Sequence, residues 1–310
     1  MQPLVSVVIP TYNCLDYLSK AIGSVLEQDL EELEILVMDD GSTDGTFTWL
    51  EKIAEQHPQI VPVRLDHVGV VAARNHAIEM ARSEYIAFLD ADDYWLPGKL
   101  KCQLNWHMAS EDHVLSFTNY MHFNEEGKEI IDCFGYWKVF NHLPHANRFF
   151  ELDSAGDEIL ATNMIGTSTV VARRDALLKV GGFSSELKSA SDWDMWLKLA
   201  QCGKVSANPK IQMQYLMRAG SITSNRLNRL EAMRRIITGY INRYPASDKA
   251  CELAWSRLEE GYAEYHREQG EAKKALRWDW VSLRRAPEFR KLKHLSRDLY
   301  YLMRSPSRAN

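Results

Sequence analysis

The stretch Gly69–Leu100, GVVAARNHAIEMARSEYIAFLDADDYWLPGKL, decides the fold. Its first half, GVVAARNHAIEMARS, reads as a helix. Tyr85 to Leu89 then run as mostly apolar residues, the pattern of a strand buried on both faces. Asp90, Asp92 and Asp93 follow almost on top of one another. Carboxylates that close repel, and one polar residue is enough to stop a strand. The crowding points to a positive partner at the carboxyl end of this strand.

The same alternation extends upstream. LVSVVIP (4–10) is a short β-branched run closed by Pro10, and behind it Leu15, Leu18, Ile22, Val25 and Leu26 fall on one helical face. LEILVMDD is a second strand ending in acids. STDGTFTWLEKIAEQH comes next as a helix, with Ser42, Thr43 and Asp44 as N-cap candidates. IVPVRLD supplies a third strand. Four strands alternating with three helices predict an α/β fold built on a parallel, doubly wound sheet.

Downstream the order changes. VLSFTNYMHFNEEGKEII predicts a hairpin around Glu125, Glu126 and Gly127. TSTVVARRDALLKVGGF reads as a strand and then a helix stopped at Gly181 and Gly182, and SASDWDMWLKLAQCG as a further helix. From 225 onward the chain reads as helices broken near Pro245, Gly270 and Pro287. Within them, 263–285 resembles one helix-turn-helix unit of a TPR-type array. The expected division is 1–224 for the α/β domain and 225–310 for an all-helical region.

Composition narrows the class. The chain has 310 residues, 45% hydrophobic and 25% charged, as in ordinary globular proteins. No apolar run approaches the roughly 20 residues of a membrane span. The N-terminal MQPLVSVVIPTYN has neither a basic n-region nor a small-residue cleavage site, so no signal peptide is expected. Five scattered cysteines without a CxxC predict no disulfide framework or zinc knuckle, and fit a reducing cytosol. The net charge of −5 conceals an asymmetry: residues 1–224 hold 18 Lys+Arg against 31 Asp+Glu, residues 225–310 hold 19 against 11. P-loop and dinucleotide glycine fingerprints are absent, and no nucleic-acid partner is expected.

In open parallel sheets, ligands sit beyond the carboxyl ends of the strands. Each expected strand delivers polar groups there: Thr11, Tyr12 and Asn13; Asp39, Asp40 and Gly41; Asp66 with Gly69 and Arg74 behind; then Asp90, Asp92 and Asp93. Asp90 and Asp92 are separated by Ala91, and in extended chain residues two apart point the same way. Both can then face one divalent cation, or one can hold a metal and the other a sugar hydroxyl. Hard oxygen ligands suit Mg²⁺ or Mn²⁺ bridging to a diphosphate. An acidic turn capping the next helix is the structural alternative.

VSVVIPTYN, ILVMDDGSTDGT, the Gly69–Leu100 stretch and GGFSSELKSASDWDMWLKLA together resemble the family 2 glycosyltransferases of the GT-A fold, in consistent order over about residues 4–224. The resemblance implies a nucleotide-sugar donor (a UDP-sugar), a Mn²⁺ or Mg²⁺ cofactor and inversion at the anomeric carbon. It also implies a hydroxyl acceptor on a glycan or lipid-linked glycan, as in bacterial surface polysaccharide synthesis. Carried onto this chain, the nucleotide-sugar site comprises Pro10, Thr11, Tyr12, Asn13, Asp40, Gly69, Arg74, Asp90, Ala91 and Asp92. Thr11 and Tyr12 would line the nucleoside pocket, and Asp40 would accept from the base's ring N–H. Arg74 would sit by the donor, on phosphate or on an aspartate. Asp92 would be the principal metal ligand, and Asp90 would touch ribose or metal. Asp39 is read as organising its turn and Asn75 as a local cap.

The same resemblance takes the catalytic base from SDWD. Ser191 stands where the family usually has the first acid, leaving Asp192 as the base. Asp194 lies about 200° further round the helix and cannot share its face. Trp196, at i+4, would wall the acceptor site or simply fill the core. In YLMRAGSIT the family often has a histidine where Arg218 stands; an arginine there would neutralise the leaving diphosphate. Thr167 and Ser168 are acceptor-side candidates.

Two other classes compete. A haloacid-dehalogenase-type phosphatase also places DxD after an apolar strand, but with Thr or Val where Tyr94 stands here, and on the first strand rather than the fourth. A non-catalytic nucleotide-sugar-binding or scaffold protein is left open by Ser191 and Arg218. The tail adds an expectation of its own. Residues 271–310 carry 11 Lys+Arg and 4 acids among Trp278, Trp280, Phe289, Tyr300 and Tyr301. That pattern fits either a solvated helical face or peripheral docking on the anionic inner face of a membrane.

Overall fold

The computed structural model describes residues 2–140, 148–217 and 226–288, with 291, 292, 295, 296 and 299 beyond them. Two compact units result: one from 1–155, 164–186 and 191–219, the other from 156–163, 187–190 and 220–310.

The first unit is a mixed, mostly parallel sheet flanked by helices. β1 (Val5–Thr11), β2 (Leu33–Asp39) and β3 (Ile60–Arg64) alternate with α1 (Leu15–Leu26), α2 (Thr46–Gln56) and α3 (Val70–Met80), and lead to β4 (Tyr85–Phe88). β1 pairs in parallel with both β2 and β4, and β2 with β3. Every residue of β1, β2 and β4 is buried, which explains their continuous apolar runs: helices cover both sheet faces. On α1, Leu18, Ala21, Ile22 and Val25 face inward, the spacing of one helical stripe. At α2 the cap position falls to Gly45, while the Asp44 carboxylate accepts from the Thr46 N–H at 3.0 Å.

Downstream come β5 (Tyr94–Trp95), α4 (Lys99–His107), β6 (His113–Asn124), β7 (Glu129–Asp132), α5 (Cys133–Trp137) and β8 (Phe150–Glu151). The expected hairpin is β6 with β7, turning through Gly127 at φ 77°. A 3-10 turn at Thr167–Thr169 leads into β9 (Val171–Arg173). The helix after β9 is α7 (Arg174–Lys179); α6 (Ala155–Ala161), earlier in the chain, falls almost wholly in the second unit. α8 (Ser191–Leu199) and β10 (Lys204–Met217) complete the unit. The order is β3-β2-β1-β4-β9-β6-β10-β5, with β9 antiparallel to both neighbours and β6 parallel to β10. The carboxyl ends of β1, β2, β4, β6 and β10 therefore reach one edge.

Two of the buried polar groups bear directly on the stability of this unit. His107 is buried, with Nδ1 3.2 Å from the His113 carbonyl and Nε2 3.0 Å from Ser116 Oγ. Burial holds its pKa down to about 4. The unfolded chain then binds the proton first, so stability is intact above about pH 6.5 and lost as pH falls toward 4, by about 3 kcal/mol in all. Urea midpoints that decline steadily over that window are expected; a flat profile would contradict the assignment. Lys99 is fully buried with its Nζ 4.2 Å from the Trp95 ring centroid and no hydrogen-bond partner among the described residues. Burial pushes its pKa well down. Lys99→Met is expected to raise stability by about 1–3 kcal/mol, the usual cost of an unsatisfied buried polar group; a lowered urea midpoint would show that the amine has a partner.

The second unit is helical. α9 (Arg226–Arg243), α10 (Asp248–Glu268) and α11 (Ala272–Arg285) follow one another, with Ser247 capping α10 through the Ala250 N–H at 3.2 Å. α10 turns into α11 through Gly270 at φ 73°. Polar pairs fix their register: Ser256 with Ser282, Arg267 with Asp279, and Arg285 with Glu252 and Glu259.

Candidate active site

The polar residues gathered at the carboxyl edge are held by an interlocking set of hydrogen bonds. At the end of β1, Thr11 is buried, and its hydroxyl has no hydrogen-bond partner among the described residues. Pro10 pairs in register with Met38. Tyr12 is 45% exposed, its ring centroid 4.5 Å from that of His67. Asn13, in the left-handed region at φ 49°, accepts from the Thr43 N–H at 2.8 Å and donates its own N–H to Ser42 Oγ at 2.9 Å. Its side chain therefore ties two strand ends together.

Asp39 and Asp40 end β2 with different duties. Asp39 accepts from the Ser42 N–H and shapes the turn. Asp40 accepts from the backbone N–H of Val68 at 2.6 Å and of Gly69 at 2.8 Å. Gly69, at φ 88°, opens α3. One helical turn further, the buried Arg74 reaches Asp90 at 2.5 Å, its guanidinium carbon 5.5 Å from the Phe183 ring centroid.

The acidic segment corrects one expectation. Asp90 to Asp93 are not extended: the Asp93 N–H donates to the Asp90 carbonyl at 3.0 Å, closing a turn. The same-side argument for Asp90 and Asp92 therefore does not apply. Ala91 is buried within that turn. Asp93 points inward and is buried, accepting from Ser168 Oγ at 2.6 Å and from the Leu216 N–H at 3.3 Å. Burial first, then the charges of Asp90 and Asp92, push its pKa well up.

The 3-10 turn before β9 joins this turn to the base candidate. Ser168 Oγ accepts from the Asp90 N–H at 3.0 Å, and the Ser168 carbonyl accepts from the Trp95 indole at 2.7 Å. Its neighbour Thr167 donates to the Asp192 carboxylate at 3.1 Å. The other Asp192 oxygen accepts from the Trp193 N–H at 2.8 Å, and Asp194 pairs with Lys198 at 2.7 Å.

Two further expectations change, at Ser168 and Asn75, and the open choice at Trp196 is decided. Ser168 is fully buried with its hydroxyl committed to Asp90 and Asp93, so it supports the acidic turn from beneath and offers nothing to an acceptor. Trp196 is fully buried against Phe88 and Phe183, with ring centroids 5.8 and 5.9 Å away, and belongs to the core. Asn75 is no local cap: it donates to the Phe183 carbonyl at 2.9 Å and accepts from the Phe183 N–H at 2.8 Å. A side chain at Gly182 would meet Asn75 at 2.6 Å, which explains the GGF glycine. Arg218 lies outside the described residues, as does the 224/225 boundary.

Sequence reasoning did not name His67, and it counted Asp93 among the strand-end acids without giving it a role of its own. The third acid in DADD was a visible signal; a lone His67 after a strand was not.

The donor set suits a hard cation. Among the described residues no three His, Cys, Asp or Glu side chains form a ready-made cage. Mg²⁺ and Mn²⁺ need none, since one or two carboxylates with phosphate oxygens and water complete their shell. The turn offers two carboxylates, Asp90 and Asp92, with Arg74 paired to Asp90 and Asp93 committed inward.

The family model described as glycosyl transferase family 2 matches residues 6–170, more than half of the chain. The chain belongs to glycosyl transferase family 2. Among its relatives in this family, the putative teichuronic acid biosynthesis glycosyltransferase TuaG of Bacillus subtilis is 31% identical over 227 residues, covering 73% of this chain and 83% of that protein. The UDP-Glc:alpha-D-GlcNAc-diphosphoundecaprenol beta-1,3-glucosyltransferase WfaP of Escherichia coli is 30% identical over 229 residues, covering 73% and 82%. The chain also matches the Pasteurella multocida chondroitin and hyaluronan synthases, of whose length it spans 20%.

Solved structures agree on the fold. Staphylococcus aureus TarS 1–349 in complex with UDP-GlcNAc has a TM-score of 0.64 at 22% identity, covering 94% of this chain and 83% of that one. Mannosyltransferase PcManGT from Pyrobaculum calidifontis, in complex with GDP-Man and Mn²⁺, has a TM-score of 0.65 at 20% identity, covering 99% and 82%. The family 2 fold here is thus GT-A-like, with C-terminal helices appended.

Proposed function

We propose that this chain is an inverting glycosyltransferase. It moves a sugar from a UDP-sugar to a hydroxyl of a glycan or lipid-linked acceptor in surface polysaccharide synthesis. One observation carries the reading: adjacent residues Thr167 and Ser168 hold the base candidate Asp192 and the acidic turn of Asp90 and Asp93. Consecutive residues are about 3.8 Å apart, so a proton acceptor and a donor-gripping turn share one small neighbourhood.

In the proposed reaction Asp192 takes the proton of the acceptor hydroxyl. The oxygen attacks the anomeric carbon from the face opposite the diphosphate. A carbon–oxygen bond forms, and the bond to the diphosphate oxygen breaks, its electron pair leaving with the nucleoside diphosphate. Thr167 orients Asp192 by donating to the oxygen that does not receive the Trp193 N–H. Tyr12, its ring packed against His67, faces the nucleoside, and Asp40, braced by two backbone N–H groups, accepts from the base with its remaining lone pairs. Arg74 keeps Asp90 in place, and Arg218 is assigned to the departing diphosphate. Asp92, assisted by Asp90, would hold Mn²⁺ or Mg²⁺, which when bound supplies Lewis-acid stabilisation of charge on the leaving diphosphate.

We assign residues 1–224 to the transferase and 225–310 to an accessory helical region. Among the described residues no helix is long and apolar enough to cross a membrane. WfaP, by its name, acts on a sugar carried by diphosphoundecaprenol. A lipid-linked acceptor of that kind puts the reaction on the cytosolic face of a membrane. The test is a panel of nucleotide sugars incubated with Mn²⁺. Release of UDP from one of them, abolished by EDTA, is expected. Binding without turnover across the panel would favour the non-catalytic alternative.

A further inference from the structure

α11 sorts its side chains by face. Lys273, Arg277, Trp280 and Arg284 recur at i, i+4, i+7 and i+11, which at about 100° per residue makes one stripe. All four are exposed, Trp280 by 52%. Ala275, Asp279 and Ser282 occupy the opposite face and are buried. Asp279 is the sole acid of α11, so the stripe carries no negative charge, and Arg267 of α10 neutralises it at 2.8 Å. Lys274 and Arg285, off the stripe, are committed to Glu271 and to Glu252 and Glu259. Among the described residues, Lys273, Arg277 and Arg284 enter no ion pair. Beyond the helix, Leu292 and Leu299 are exposed as well.

We infer that this face of α11 seats the protein on an anionic phospholipid surface. Cations at the i±3 and i±4 positions around an exposed indole suit the headgroup layer. Their long stems reach lipid phosphates while the ring, apolar at one end and polar at the other, settles at the acyl boundary. α11 exposes one aromatic ring, Trp280, whereas binding along a nucleic-acid strand stacks successive bases on several. The purpose of the contact rests on the lipid-linked acceptor proposed above; the surface itself does not depend on the donor chemistry.

Co-sedimentation of the full chain with vesicles tests it. Binding to phosphatidylglycerol vesicles, weak or absent on phosphatidylcholine and declining as salt is raised, is expected. The triple variant Lys273→Ala, Arg277→Ala, Arg284→Ala should lower partitioning by about 100-fold, near fivefold per cation. Trp280→Ala should lower it several-fold without changing the salt dependence. These side chains are exposed, so the thermal melts of both variants should match the parent. Equal binding to the two lipids would overturn the inference. So would an unchanged triple variant, or binding to RNA or polyglutamate that these substitutions abolish while vesicles are ignored. Sugar transfer to a soluble acceptor, assayed on the same preparations, separates the two proposals. An inactive protein that still binds phosphatidylglycerol sinks only the transferase reading; an active one that ignores it sinks only the docking surface.

Discussion

Asp192→Asn is expected to lower kcat for sugar transfer by about 10²–10⁴-fold, the range that general-base assistance supplies, with donor affinity nearly unchanged. The substitution is nearly isosteric. The amide oxygen can accept from the Trp193 N–H while the amide NH2 donates to the Thr167 hydroxyl, which lies 3.1 Å from Asp192, so the first turn of α8 should keep its place. What disappears is a group able to take the acceptor's proton. Asp194 cannot substitute, because it points elsewhere on the helix and is paired with Lys198. Initial rates and calorimetric donor titrations on the same variant check both halves. Retained transfer would remove Asp192 as the base, and lost donor binding would reassign it to the donor side.

Asp92→Ala is expected to weaken donor binding in the presence of Mn²⁺ by about 10²-fold or more, since charge stabilisation by a metal is a matter of several kcal/mol. EDTA should impose the same loss on the parent protein and no further loss on the variant. The turn should survive, because its closing bonds run through the Asp90 carbonyl and the buried Asp93 carboxylate. Asp93→Ala makes the contrast: it strips the partner from Ser168 and the Leu216 N–H, so it should act on folding before it acts on binding.

The half of the fold built from β1 to β4 was legible because β1, β2 and β4 are covered on both faces and its helices obey the 3.6-residue period. The other half, from β5 to β10, was less so. β9 is three residues long, and three residues carry no signal of strand direction, yet its antiparallel insertion sets the order of the whole sheet. DADD succeeds an apolar strand, and extended geometry was the natural reading. The turn that replaces it is dictated by the inward pull on Asp93 from Ser168 and Leu216, groups 75 and 123 residues away. Asn75 and Phe183 meet across 108 residues, beyond the reach of any local rule. The site residues most visible in the sequence were those whose chemistry is unusual for their place, acids at strand ends above all. Trp196 and Ser168 were ambiguous for the opposite reason: a tryptophan or serine serves a core as readily as a ligand.

The most direct measurement is a crystal structure of the protein soaked with Mn²⁺ and UDP, with anomalous data collected at the manganese edge. An anomalous peak between the Asp92 carboxylate and the diphosphate oxygens is the predicted result, with the uracil against Tyr12. A diphosphate bound without metal, or manganese found away from the Asp90–Asp93 turn, would contradict it.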